Sequence, residues 1–176
     1  MSEIDVALMV ELLTEDDWQL AGRILAGKGD IWKPDAILAP EGTPYLYRWH
    51  IVAEKPWCNV FLHIQVQSDP ERPLHDHPWD NQSVILSGGY DEVFSFWPRH
   101  GREHQRQLRK GDAISRRAEE AHRLILPPDI PYTMTLFTTG PHRRAWGFWY
   151  PDGWHDAKRH VANRGGQLVH VNKGDE

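Results

Sequence analysis

Residues Arg72–Glu92 read RPLHDHPWDNQSVILSGGYDE, and the placement of the two histidines in this stretch decides what the rest of the chain can be. His75 and His77 stand one residue apart, ahead of a polar turn, P-W-D-N, and an apolar run from Ser83 to Leu86 that ends at Gly88-Gly89. Side chains on a strand alternate between faces, so an extended segment projects both imidazoles the same way. Imidazole is a ligand for iron, zinc, copper and nickel, but two rings make an incomplete site. In a chain with eleven histidines such a pair carries little weight until a third ligand is found.

On both sides of this stretch the pattern is β. YLYRWHIV (45–52) is aromatic and β-branched, and CNVFLHIQVQ (58–67) alternates, with Cys58, Val60, Leu62, Ile64 and Val66 on one side. Gly88-Gly89 reads as a hairpin turn into YDEVFSFW (90–97). DAISR (112–116), HRLIL (122–126), TMTLFTT (133–139) and AWGFWY (145–150) follow, separated by glycine and proline. About eight short strands with turns between them predict an antiparallel sandwich or barrel over residues 45–151. Ahead of it, residues 1–44 read as a helix and a loop. Thr14 caps the run EDDWQLAGRILAGKG, and Glu15, Asp16 and Asp17 suit its positive end. After Pro151, DGWHDAKRHVAN reads as a short helix within a terminal segment, 152–176.

The third ligand is His122, which opens HRLIL eleven residues after Gly111. Together these positions resemble the cupin superfamily, whose two motifs run G-x5-H-x-H-x3-4-E-x6-G and G-x5-P-x-G-x2-H-x3-N. His75, His77 and Gly88 match the first motif, and Gly111 and His122 match the second, so the resemblance covers Tyr45 to Tyr150. The chain departs from the pattern elsewhere. Pro70 and Glu71 lie where a glycine opens the first motif, and Asn81 takes the glutamate position, with Asp80 and Gln82 beside it. Arg117, Glu119 and Leu126 replace the proline, glycine and asparagine of the second motif.

The resemblance implies an all-β fold, a cupin double-stranded β-helix or jelly-roll barrel, here with an N-terminal helix and a short C-terminal one. It implies one divalent metal on His75, His77 and His122, with Asp80 or Asn81 as a further ligand. Fe(II) comes first among the metals, with Zn, Ni, Mn or Cu as alternatives. The activity implied is that of a mononuclear non-haem dioxygenase acting on a small molecule. A non-catalytic cupin that binds a small ligand or metal, and a sugar isomerase or epimerase, are the other readings the fold allows. Homodimers are common in the superfamily, and YLYRWHIV is a candidate interface strand.

Composition narrows the classes further. The net charge of −5 and a pI near 6.1 give no basic footprint for nucleic acid or an anionic membrane. The single cysteine, Cys58, excludes an intrachain disulfide, suits a reducing compartment and reads as a buried, inert thiol. The first seventeen residues lack the basic start of a signal peptide, and no apolar run approaches the roughly 18–20 residues of a membrane span. The expected location is cytoplasmic. His63, on the alternating strand, is a candidate acid or base. Trp79, Tyr90 and Tyr150 are candidate walls of a substrate pocket, while His155 and His160 fall on the expected terminal helix. Arg116, Arg117, Arg123, Arg143 and Arg144 each read as solvated, with a bidentate clamp on a substrate carboxylate or phosphate as the alternative for one of them, and the basic stretch RHGREHQRQLRK (99–110) reads as a solvated connection.

Overall fold

A computed structural model of the chain describes residues 9, 11–39, 43–69, 73–158 and 168–170. Helix α1, Glu15–Ile24, forms as its cap predicts: the Thr14 side chain accepts a hydrogen bond from the Asp17 amide at 3.3 Å, and three acids fill the first turn. It stops at Leu25, with Gly27 at φ 71° just beyond. Among the described residues no helix is long and apolar enough to cross a membrane.

Among the described residues twelve strands follow: β1 Ala36–Leu38, β2 Leu46–Val52, β3 Asn59–Gln65, β4 Asn81–Ser87, β5 Gly89–Ser95, β6 His104–Arg109, β7 Ala113–Arg116, β8 Ala121–Ile125, β9 Thr133–Thr139, β10 Gly147–Tyr150, β11 Gly153–Asp156 and β12 Leu168–His170. All pair antiparallel. The large sheet has the order β12-β1-β2-β3-β9-β4-β7. The second layer is β6-β5-β8, extended by the β10–β11 hairpin through one residue, His75, which bridges His122 on one side and Phe148 on the other. This is the antiparallel two-layer β architecture that the sequence predicts.

The largest apolar cluster lies between α1 and the large sheet. On β2 and β3 the residues Tyr47, Trp49, Leu62 and Ile64 are buried against Ala21 and Leu25, beside α1. A buried carboxylate, Asp17, fixes the helix to the sheet by accepting from the Tyr132 hydroxyl and, at 2.6 Å, from the Ser87 hydroxyl. The alternate residues of the same strands, Arg48, Phe61 and His63, take the opposite, inner face. The largest apolar cluster thus lies on one side of the large sheet, and two smaller ones form around Leu74, Val93 and Ala121 and around Ile85, Tyr90 and Leu108.

Several expectations are corrected. Gly88-Gly89 is no hairpin, because β4 belongs to the large sheet and β5 to the second layer. The chain turns a corner between layers there. Gly88 has φ 65°, and a Cβ on it would stand 2.1 Å from the Tyr132 carbonyl oxygen, so only glycine passes. The second half of the basic stretch 99–110, His104–Arg109, is strand β6 rather than a connection, and its outward residues Gln105 and Gln107 are exposed. YLYRWHIV forms β2, which pairs with β1 over Leu46–Arg48 and with β3 along its length. The sheet also begins before residue 45, with β1. Residues 153–156, read as part of a helix, form β11 because Gly153 turns the chain back on β10; most of the remaining terminal segment, with His160, lies outside the described residues.

Candidate metal centre

His75 and His77 lie on the extended approach to β4, and His122 is the second residue of β8. The backbones of His75 and His122 exchange two hydrogen bonds, of 3.0 and 2.8 Å, which sets the two rings side by side with centroids 4.7 Å apart. The His77 amide donates to the Ala118 carbonyl at 3.2 Å, fixing the second ligand of the pair. One nitrogen from each ring lies within 4.8 Å of the other two.

Two of these nitrogens, His77 Nε2 and His122 Nε2, are 2.8 Å apart. That is the separation of two ligands each about 2.0–2.1 Å from a shared ion and roughly at right angles. A hydrogen bond between neutral rings would give the same distance, but His75 makes the pair a three-nitrogen pocket. Burial, and after it the neighbouring His122 and His75, push His77 well below the ordinary histidine value, so its lone pair is available at neutral pH. The donor set is three neutral imidazoles, and it fits a divalent transition metal.

Behind His122 stands a residue that sequence reading missed. Glu92 of β5 is wholly buried, and its Oε1 lies 2.6 Å from His122 Nδ1. Opposite a carboxylate Nδ1 carries the proton, which leaves the Nε2 lone pair facing the pocket. Burial opposes the charge on Glu92, but His122 and Arg116 outweigh it and hold the carboxyl well below the usual carboxylate range. Arg116 donates to both oxygens, at 2.7 and 3.1 Å, and Arg106 donates to Oε2 at 2.6 Å. Arg116, expected in solvent, is therefore buried, and Arg106 reaches inward from the basic stretch. A signal was present in the sequence: Glu92 shares the parity of Tyr90 and Phe94, which makes it an acid on an apolar strand face.

A second buried carboxylate holds the His-x-His segment from behind. Asp76, between the two ligands, is fully buried and accepts four bonds: from the Gly147 amide (2.7 Å), Arg144 (2.7 Å), and the indoles of Trp149 (3.1 Å) and Trp154 (2.9 Å). Arg144 is thus another arginine with a specific partner.

The proposed further ligands face elsewhere. Asp80 accepts from the Ala118 amide at 2.9 Å and from Arg143 at 2.6 Å, and the Asn81 oxygen faces Arg116 at 3.4 Å. Among the described residues no carboxylate joins the three histidines. Neither the residue at the motif's glutamate position nor its neighbour therefore reaches the three rings.

Of the pocket candidates, Trp79 stacks on His77 at 5.1 Å and meets Phe137 edge-on, beside the site. Tyr90 is packed with Ile85 and Leu108, its hydroxyl taking Arg116 at 3.2 Å, and so lines no pocket. Tyr150 packs on His155, which sits on β11 rather than a helix. His63 stacks between Phe61 and Phe137 and takes a hydrogen bond from Arg48 at 2.8 Å. Cys58 is half-buried and lines a separate groove with Trp57. A small cavity of about 70 Å³ opens beside His75, with Tyr45, Arg123, Trp146 and Phe148 around it.

No protein-family model and no curated protein matches this sequence. Solved structures do match. A dimethylsulfoniopropionate (DMSP) lyase, DddQ, from Ruegeria pomeroyi is 17% identical over 67% of this chain and 58% of its own, with a TM-score of 0.49. A putative mannose-6-phosphate isomerase from Ralstonia eutropha is 21% identical over 58% of this chain and 91% of its own, at 0.47. A cupin superfamily protein from Desulfitobacterium hafniense is 14% identical over 55% and 77%, at 0.41. The chain spans less than two thirds of the length of the lyase. At such identities the likeness concerns the fold alone.

Proposed function

We propose that this cupin-fold chain is a mononuclear metal enzyme of the non-haem Fe(II) dioxygenase type, acting on a small molecule. The observation that carries the reading is the convergence of His75, His77 and His122, with the buried Glu92 carboxylate behind His122. A structural histidine needs no such arrangement, whereas a metal ligand characteristically donates its second nitrogen to a carboxylate or carbonyl.

His75, His77 and His122 would hold the ion, and three neutral ligands leave positions for substrate. A divalent metal bound there supplies Lewis acidity, and iron in particular supplies redox chemistry with dioxygen. The chain's own residues supply the rest. Glu92 keeps the proton on His122 Nδ1 and the ring in one orientation. Asp76 fixes the backbone between the other two ligands from behind. Trp79, Phe137 and Phe148 place apolar ring surface beside the histidines, which limits water at the site.

The test is metal uptake followed by turnover. Wild type incubated anaerobically with Fe(II) or Co(II) and desalted should retain about one ion per chain, and His122→Ala should retain far less. Oxygen consumption by the Fe(II)-loaded protein against thiols, catechols and small acids then reports turnover. Absence of stoichiometric metal in wild type would remove the proposal, and metal without oxygen uptake would leave a binding protein.

A further inference from the structure

Arg48 stands apart from the other arginines around the barrel. Arg106 and Arg116 are paired with Glu92, Arg109 with Asp91, Arg143 with Asp80 and Arg144 with Asp76. Arg48 is half-buried on β2, directly opposite His63 of β3, on the inner face, since its neighbours Tyr47 and Trp49 point to the core beneath α1. Its Nε–H donates to His63 Nε2, and its guanidinium lies 5.1 Å from the centroid of the Phe61 ring. Among the described residues no carboxylate, and no other acceptor, meets its two terminal nitrogens.

A guanidinium partly removed from water without a counter-ion is an unbalanced charge, and its planar pair of N–H groups matches a carboxylate in bidentate fashion. The ring ladder runs from this group to the metal ligands: His63 stacks on Phe137 at 5.1 Å, and Phe137 meets His77 at 6.1 Å. His63 lies beside it as a neutral ring, kept so by burial first and then by Arg48 and His50, so the local charge is a single plus.

We infer that Arg48 is the anchor for the carboxylate of a small monoanionic acid inside the barrel, the remainder of the molecule extending toward His75, His77 and His122. This names the substrate class and rests on the metal-enzyme reading above. His63 is a positioning residue: by accepting from Nε it turns the terminal nitrogens outward to the ligand. A lone positive charge suits a monoanion, whereas a phosphate dianion calls for a second cation at the same place.

Calorimetric titration with glycolate, and with acetamide as a neutral control, tests this on metal-free and on Co(II)-loaded protein. Glycolate should bind wild type and R117Q, an exposed control, in both forms, and should bind R48Q at least tenfold more weakly; acetamide should not bind. Equal glycolate affinity in R48Q, no glycolate binding by wild type, or acetamide binding as well as glycolate would each overturn the anchor. Failure of wild type to take up Co(II), with glycolate binding still dependent on Arg48, would remove the metal reading and leave the anchor standing. Should R48Q not fold, NMR of the unmodified protein decides: glycolate must shift the Arg48 Nε and His63 ring signals, and shifts confined elsewhere refute the proposal.

Discussion

Replacing Glu92 by Gln separates the orientation of His122 from the mere presence of three imidazoles. The change is nearly isosteric, so volume is not at issue. Oε1 accepts from His122 Nδ1 and Arg116 Nε, and Oε2 accepts from Arg106 Nε and Arg116. A glutamine offers one oxygen in place of two and turns an NH2 group toward the remaining donors. In the better flip the amide oxygen keeps His122 and one Arg116 bond, while the other two donors lose their acceptor. Two guanidinium groups are then left without the buried charge that balanced them. Breaking a buried ion pair from one side costs about 3–5 kcal/mol. In a chain of this size that corresponds to a fall in Tm of roughly 6–20 °C, within the stability of a typical domain. The loss of a carboxylate behind a metal-bound histidine also weakens metal binding by about 10–100-fold. Both effects are measurable on one preparation, by urea denaturation of the metal-free protein and by competition for Co(II) against a chromophoric chelator. Arg106→Met is the control: it removes a partner of Oε2 and leaves the His122 contact, so it should destabilise while changing metal affinity little. If Glu92→Gln bound Co(II) as tightly as wild type, or lost no more affinity than Arg106→Met, the orienting role of Glu92 would be wrong.

Asp76→Asn removes the charge that faces Arg144 and sets an NH2 group against indole or amide donors. A loss of about 2–4 kcal/mol in urea denaturation, with at least tenfold weaker Co(II) binding, is expected; retention of full affinity would show that the segment needs no such brace. For His63 the folded value lies below the unfolded value of about 6.5, so the unfolded chain takes up the proton first as pH falls. Its contribution to stability is complete above that pH and is lost below it, at up to about 1.4 kcal/mol per pH unit. Metal-free His63→Gln should therefore show a shallower acid limb than wild type in denaturation between about pH 6.5 and 5, and an unchanged slope would contradict the buried neutral ring. Gly88→Ala forces a side chain into a left-handed backbone against the Tyr132 carbonyl and should cost about 2–4 kcal/mol by the same assay; a neutral result would mean the corner relaxes freely.

The parts of this molecule that could be read from sequence are those set by local periodicity. The alternation of Val60, Leu62 and Ile64 against Phe61 and His63 is the division between helix-facing core and barrel interior, and Thr14 with three acids marks the start of α1. The three histidines were legible through spacing and resemblance together. Glu92, Arg106, Arg116 and Asp76 were not read, because a charged residue in a strand looks solvated until its partner is known. Glu92 meets His122 only through pairing across strands 30 positions apart. The Gly88 corner was misread for a related reason: a glycine pair between two strands marks a change of direction, but whether the strands then pair with each other depends on the opposite layer. The expected further ligand failed at Asp80 and Asn81 because Asp80 is engaged by the Ala118 amide and Arg143, and Asn81 by Arg116.

His75 has a double employment. Its main chain exchanges two hydrogen bonds with His122 of β8 while its neighbours Leu74 and Asp76 bond to Trp149 and Gly147 of the β10–β11 hairpin, and its imidazole is one corner of the three-nitrogen pocket. An ion seated there would rivet this seam from the inside. Occupancy and closure of the wall are then one event, felt as far away as β11 by residues that never touch the ion.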